Sequence, residues 1–513
     1  MTRTLLTTIL TMLLTMSATA QQASHRGPGC WRTAKARQEA TARLASPMKA
    51  EIPNYRGQKK GLVILAEFPD MKFKEEHNRE KYNDILNAPG YTTTEGFKGS
   101  VADYFRDQSG GLFDLEFDVV GPYTTKHEYA YYGENDERGD DKHPEEMIYE
   151  MCQAADDEVN FADYDWDGDK KVDEVFVVYA GKGEADSNKK NTIWPHMWTL
   201  LEAGKFLTLD KVMINVYACA NELMANNTIN SIGTFCHEFS HCLGLPDLYD
   251  INYNGQFGMG SFDVMDAGLY ANNGFTPVGY SAFEKMSCGW QEPIVLDSED
   301  IVVDSLRPMS QQGDFYIIRN DGHPDEFYLI ENRQKLGWDK YMPAKGLMIS
   351  YVDYDEEVWA NNIPNTIITE KDAKKDGYTC GNDHQRVTIF HADDKAGTYD
   401  TAGDLYPYAK TVTQKNDSLT ADSKPAATLY HANSLGIKKM MGSILNIRQN
   451  TGSDKTMAFS YRAVNPNIVT AIREVDSPTL PQTVYTIDGR VAGTTTESLR
   501  HGIYIVGGKK VIR

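Results

Sequence analysis

Positive charge is in short supply in this sequence of 513 residues. Against 73 aspartates and glutamates stand only 52 lysines and arginines, a formal net charge of −21. A chain of that sign, with a pI near 5.0, lacks the cationic surface that nucleic-acid phosphates or an anionic membrane face would call for. Cysteine is scarce too. Seven residues are too few for a disulfide scaffold at this length, and an odd number leaves one unpaired in a monomer. After the first twenty residues no run approaches the roughly 18 consecutive apolar residues of a membrane-spanning helix. Core material, by contrast, is ample: 41% hydrophobic and 11% aromatic residues exclude a disordered acidic chain. At roughly 150 residues per domain, the length predicts about three units.

Arg3 precedes a mostly apolar run from Leu5 to Met16 and then Ser17-Ala18-Thr19-Ala20. A charged start, a short apolar stretch and an Ala-x-Ala site read as a signal peptide over 1–20. This predicts export, to the outside of the cell, its surface or the periplasm. Residues 21–57 are polar and carry Pro28, Pro47 and Pro53, the composition of a pro-segment or flexible lead-in. Strands are expected over 61–68, 112–120, 175–180 and 211–220, and helices near 76–87, 100–108 and 143–159. This mixture makes 58–296 one unit of helices and strands. Short strands such as Phe327-Tyr328-Leu329-Ile330 dominate 297–462, predicting a mainly β companion. A linker at 463–467 then leads to a small β module ending at 513.

The segment richest in chemistry is Gly233-Thr234-Phe235-Cys236-His237-Glu238-Phe239-Ser240-His241-Cys242-Leu243-Gly244-Leu245-Pro246-Asp247. On a helix, Ile232, Cys236, Phe239 and Leu243 form an apolar stripe. His237 and His241, four apart, project together from the roughly opposite face. Two neutral imidazoles one turn apart can both reach a zinc ion, and Glu238 beside them is placed to take a proton from a water at the metal. Catalytic zinc usually has three protein ligands. Gly244 can end the helix in a left-handed conformation and Pro246 forces an extended turn, which brings Asp247 back towards the histidines. Asp250 or a distant carboxylate competes for that role.

The spacing resembles the HExxHxxGxxH signature of metzincin proteases, with Asp247 in place of the last histidine. That resemblance makes Met265, in Gly260-Ser261-Phe262-Asp263-Val264-Met265-Asp266, the candidate for a methionine turn under the metal site, and leaves Tyr270 as possible oxyanion support. More widely, the chain resembles the immune inhibitor A family of secreted bacterial metallopeptidases. Supporting segments include Ser100-Val101-Ala102-Asp103-Tyr104-Phe105, Ile193-Trp194-Pro195-His196-Met197-Trp198, Tyr280-Ser281-Ala282-Phe283-Glu284-Lys285 and Tyr328-Leu329-Ile330-Glu331-Asn332-Arg333. The resemblance implies an α+β fold: a metzincin-like zinc protease domain, then a mainly β domain and a short β tail. It implies zinc on His237, His241 and Asp247, Glu238 as catalytic base, and endopeptidase hydrolysis of protein or peptide substrates by a zinc-bound water.

Asp163, Asp165, Asp167, Asp169, Asp173 and Glu174 crowd one short loop. Alternating carboxylates in an ordered loop suit a structural calcium ion. One register starts at Asp163 with Gly168 at its sixth position, like an EF-hand. The other, which is favoured, uses Asp165, Asp167, Asp169, the Lys171 carbonyl and Asp173.

Weaker signals remain. Cys30 in the lead-in is a candidate latch on the zinc, while Cys236 and Cys242 read as packing residues. His196 is either structural or part of the site. The tail, with Val484-Tyr485-Thr486-Ile487-Asp488-Gly489 and Gly502-Ile503-Tyr504-Ile505-Val506, resembles C-terminal sorting domains of type IX secretion, so secretion machinery is a possible partner. The rival reading is a calcium-dependent binding or adhesion protein on a degenerate protease scaffold. An intact Glu238 beside three possible ligands favours the enzyme.

Overall fold

The structure is a computed structural model that describes residues 55–137, 139–395, 402–409, 411, 415–464, 484–486, 490–493, 503–506 and 509–512. The signal-peptide reading, nearly all of the lead-in and Cys30 lie outside the described residues. No helix among the described residues is long and apolar enough to cross a membrane.

The first sheet is built from β1 (Gly57–Glu67), β2 (Phe113–Thr124), β3 (Val175–Lys182), β4 (His196–Thr199) and β5 (Val216–Leu223), in the order β2-β1-β3-β5-β4. The first four of these run parallel to their neighbours, and β4 closes the edge antiparallel to β5. Parallel strands covered on both faces read as continuous apolar runs, which explains Leu62-Val63-Ile64-Leu65. Val63 and Leu65 face one cluster, with α1 (Arg79–Asn87), α2 (Val101–Gln108) and α4 (Ile232–Cys242); Leu62 and Ile64 face another, with α3 (Pro144–Ala155).

The strand expected over 211–220 is divided. Asp210 and Lys211 take left-handed conformations at φ 49° and 70°, turning a short hairpin of Leu207–Leu209 and Val212–Ile214. β5 then starts anew after Asn215, whose side chain accepts from the Leu201 backbone N–H at 2.9 Å.

After α5 (Ala282–Ser287), a second sheet is formed by β6 (Ile294–Val295), β8 (Tyr316–Asn320), β9 (His323–Arg333), β10 (Gly346–Asp353) and β11 (Val387–Ile389), ordered β11-β10-β9-β8-β6. A third sheet joins β7 (Ile301–Leu306) to β12 (Ser443–Gln449) and β13 (Met457–Arg462). β9 and β10 are buried on both faces. Tyr328, Ile330, Ile349 and Tyr351 pack against the third sheet, while Phe327, Leu329, Met348 and Val352 share the cluster that contains α4. The apolar core therefore runs without interruption from the α4 helix into the second sheet. α6 (Glu356–Ala360) follows β10 and leads into a loop that returns to α4. The described pieces of the tail pair into a four-stranded antiparallel sheet.

Candidate metal centre

α4 is buried except at Thr234: His237, Glu238, Ser240 and His241 are enclosed along with Cys236 and Phe239. The face carrying the histidines, opposite the apolar stripe, is roofed by the chain that follows rather than open to water. Gly233 permits the closest approach, because a Cβ there would meet the Leu269 carbonyl oxygen at 2.1 Å. Gly244, at φ +88°, ends the helix in the left-handed conformation that a side chain disfavours, and the chain turns back through Leu245 to Asp247.

That turn aligns three donors. His237 Nδ1 lies 2.8 Å from the Val264 carbonyl and His241 Nδ1 lies 2.8 Å from the Leu245 carbonyl. A carbonyl only accepts, so each Nδ1 carries the hydrogen and each Nε2 presents a lone pair in the neutral ring. The Nε2 atoms are 3.2 Å apart, and Asp247 Oδ1 stands 3.2 and 3.3 Å from them. Oδ1 has no other partner, and Asp247 is fully buried. Three acceptors facing each other in a dry site repel unless a cation lies among them. Zinc with bonds of about 2.0–2.1 Å in a tetrahedron sets its donors about 3.3 Å apart, so this triangle fits the ion. Burial pushes the Asp247 carboxyl up, but positive charge in the triangle, a ring proton or a metal ion, outweighs it and holds the group well below the usual carboxylate range.

Asn362 has no signature in the sequence. Its side-chain N–H donates to Asp247 Oδ2 at 2.6 Å and its Oδ1 accepts from the Asp247 backbone N–H at 2.7 Å. Next to it, the Asn365 amide donates to the Leu248 carbonyl at 2.7 Å, and Thr366 Oγ1 accepts from the Ile251 N–H at 2.9 Å. The loop after α6 thus clamps 247–251 from 115 residues away. Asparagine in a loop is too common a signal for sequence to single out. Asp250 is spent elsewhere: its carboxylate accepts from the backbone of Asn252 and Asn254 at 3.1 and 2.6 Å.

Met265 is fully buried; its carbonyl accepts from Leu248 N–H at 2.8 Å and its own N–H donates to Asp263 Oδ1 at 2.9 Å. The turn containing Met265 thus lies against the 247–248 turn, and its Val264 carbonyl holds His237. Behind it lies a buried ionic network. Asp263 and Glu284 face each other, with burial raising both, and Arg333 is paired with Asp339 at 2.8 Å and Glu331 at 3.6 Å. Burial pushes the Glu331 carboxyl up to about 7 and the Lys285 ammonium down to about 8.

Glu238 is buried, and its charge is felt by the Cys219 thiol on β5 and the Tyr270 phenol. Tyr270 keeps 52% of its surface exposed. Desolvation of the phenol, then the charges of Asp186, Glu238 and Asp247, raise its pKa, so it stays a hydrogen-bond donor. His196 lies outside the trio, with Nδ1 2.6 Å from the Trp194 carbonyl and Nε2 3.1 Å from Tyr217 Oη. All six described cysteines are buried and none forms a disulfide, including Cys236 and Cys242.

Residues 51–290 match the catalytic domain of immune inhibitor A peptidase M6. Immune inhibitor A of Bacillus thuringiensis is 27% identical over 305 residues, covering 50% of this chain and 44% of that protein. The pre-pro-metalloprotease PrtV of Vibrio cholerae is 29% identical over 275 residues, 45% of this chain and 30% of its own length. This segment is a metallopeptidase domain of the immune inhibitor A family. The chain spans less than half the length of these curated relatives. The metallopeptidase domain contains the whole donor triangle, whereas Asn362 lies beyond the matched residues.

In the acidic loop, the carboxylates of Asp165, Asp167 and Asp173 converge to within 4.8 Å of one another. Asp169 lies outside this group: its carboxylate accepts from the Lys171 backbone N–H at 2.8 Å and pairs with the Lys171 ammonium at 3.5 Å. Asp163 is bonded by the Asn160 amide at 2.9 Å. The loop is pinned to β1 by Trp166, whose indole N–H donates to the Lys60 carbonyl at 2.8 Å and whose own carbonyl accepts from Lys59 Nζ at 2.8 Å.

Proposed function

We propose that this chain is an exported zinc-dependent metalloendopeptidase that hydrolyses peptide bonds of protein substrates. The observation that carries the reading is the buried triangle of His237, His241 and Asp247, with both Nδ1 atoms committed to carbonyls and Glu238 adjacent. Zinc, when held there, supplies Lewis acidity towards a water and the scissile carbonyl. The remaining work falls to the chain's own groups. Glu238 takes the proton of the attacking water and passes it to the departing amine. The Leu245 and Val264 carbonyls keep the imidazoles in the ligating tautomer, and Asn362 keeps the Asp247 carboxylate aimed. Tyr270, protonated and partly exposed, donates towards the oxyanion that develops on the substrate. Met265 supports the floor of the site through its turn.

The loop of Asp165, Asp167 and Asp173, with the Lys171 carbonyl, holds a structural calcium ion that orders the approach to β3. The first twenty residues direct export, the lead-in acts as a pro-segment, and the tail engages secretion machinery. The metallopeptidase unit is 58–296, and 297–462 is its β-rich companion.

A casein-cleavage assay with metal analysis tests the reading. Glu238→Ala is expected to keep stoichiometric zinc while kcat falls by about 10²–10⁴-fold, the range of a lost general base. Wild-type activity in that variant, or purified protein without zinc after metal-replete preparation, overturns it.

A further inference from the structure

A second group of metal-ligating side chains converges at the C-terminal end of β10, away from α4. Asp353 is the last residue of that strand and is fully buried. Three histidines surround it: His323 Nε2 lies 3.7 Å from its Oδ1, and His384 Nε2 and His431 Nε2 lie 2.9 and 3.2 Å from its Oδ2. Arg386 Nη1 also reaches Oδ2, at 3.1 Å, while its Nη2 turns to Asp355 at 3.7 Å. Oδ2 is therefore well supplied with donors. Oδ1, although buried, accepts no hydrogen bond. An orphaned carboxylate oxygen in a dry setting is costly.

The surroundings raise that cost. In the β9–β10 pairing Asp353 stands directly opposite Glu326, which is also fully buried, and like charges at opposed positions repel. Glu326 is satisfied by Tyr351 Oη and the Asn320 amide, both at 2.8 Å, and by the backbone N–H groups of Tyr430 and His431. Those last two bonds fix the backbone that presents His431. Asn320 also holds the His431 carbonyl at 3.3 Å, and the ring of His384 is stacked on Tyr430 at 3.7 Å. The His323 and His431 rings lie 3.8 Å apart, tilted by 30°. One ligating atom each of His323, Asp353 and His431 falls within 4.8 Å of the others.

We propose that His323, Asp353 and His431 form a second binding site for a divalent transition-metal ion of the zinc type. Two imidazoles and one carboxylate suit zinc, cobalt or nickel and not calcium, which prefers oxygen. The ion sits on the Oδ1 side of Asp353, where it supplies the missing partner and offsets the paired charges of Asp353 and Glu326. His384 and Arg386 hold Oδ2 and orient the carboxylate. The side chains of His323 and His431 are 38% and 36% exposed, so the ion enters from solvent. Once bound it ties the start of β9, the end of β10 and the loop at 431 into one unit. This site is independent of the peptidase reading, because none of its residues belongs to the α4 site.

The test uses full-length protein stripped by a chelator, with calcium present throughout, titrated with zinc against a chromophoric competitor. Wild type is expected to bind two zinc ions per chain. His323→Ala/His431→Ala binds one and keeps its peptidase activity; His237→Ala/His241→Ala also binds one. In the latter background, cobalt gives visible absorption bands that vanish when His431→Gln is added, a milder change that guards against a misfolded double variant. A His237→Ala/His241→Ala protein that binds no ion, a His323→Ala/His431→Ala protein that binds as many ions as wild type, or cobalt bands that survive His431→Gln would overturn the proposal.

Discussion

His237, His241 and Asp247 sit on one helix and the turn that ends it, whereas His323, Asp353 and His431 come from a strand start, a strand end and a remote loop. The donor types are the same, two imidazoles and one carboxylate. Their construction differs. In the first group backbone geometry does most of the alignment: a helical turn spaces the imidazoles, and Gly244 returns the chain. In the second, pairing of β9 with β10 and the clamp of Glu326 on the 430–431 backbone do it. The first triangle has edges of 3.2–3.3 Å; the second is looser, with His323 3.7 Å from Oδ1 and His431 3.2 Å from Oδ2 of Asp353. A locally coded site is tight by construction, while a site assembled across strands carries the slack of several elements.

The sharpest test of that contrast is whether the local site depends on distant help. Asn362 has φ +53°, so Asn362→Gly retains a comfortable backbone and removes only the side chain that orients Asp247. Zinc affinity is expected to fall by about 10–100-fold, the usual effect of losing a ligand's supporting hydrogen bond. Competition titration reads it, and unchanged affinity would make the α4 site self-sufficient.

A calcium response tests the acidic loop, which is as local in sequence as the α4 site but mostly exposed. Calcium at about 100 times its dissociation constant adds about 2.7 kcal/mol, a rise of a few degrees in melting temperature. Asp165→Ala/Asp167→Ala is expected to abolish the calcium-dependent part of that rise. An equal calcium response in both proteins removes the loop as the binding site.

The most diffuse effect, spread over several pH units, concerns the tertiary network beneath the Met265 turn. Glu331 titrates near 7 in the folded chain against an ordinary carboxyl near 4.3 when unfolded. Between those values the folded state binds more protons than the unfolded one, so this group's contribution is complete below about pH 4 and is lost as pH rises through 7. The span corresponds to at most about 4 kcal/mol. Glu331→Gln is expected to flatten the decline in stability from pH 5 to 7, measured by denaturant unfolding at several pH values. An identical slope in the variant assigns the decline to other groups.

Much of this was legible in the chain itself, for identifiable reasons. The four-residue spacing of His237 and His241 is a property of any helix, and Gly244 and Asp247 follow within one turn. The apolar runs of β1, β3, β9 and β10 stand out because both faces are buried. Other features had no local signature. Asn362 is one asparagine in a loop, and its meaning comes only from the 2.6 and 2.7 Å bonds to Asp247. Asp169 reads as one more carboxylate of an alternating series, but its side chain lies outside the group that Asp165, Asp167 and Asp173 form. The break at Asn215 depends on left-handed residues at 210 and 211, which apolar patterning does not register.

The sequence by itself determined the chemistry of the α4 site, the helix that carries it and the acidity of the 163–174 loop, because each depends on neighbours within a few residues. Only the tertiary structure decided that the histidine face is enclosed, that Asp247 and not Asp250 joins it, that a loop beyond the peptidase domain clamps the third donor, and that three distant residues meet at Asp353. Those outcomes depend on which surfaces pack together, and packing partners far apart in the chain leave no periodicity to read.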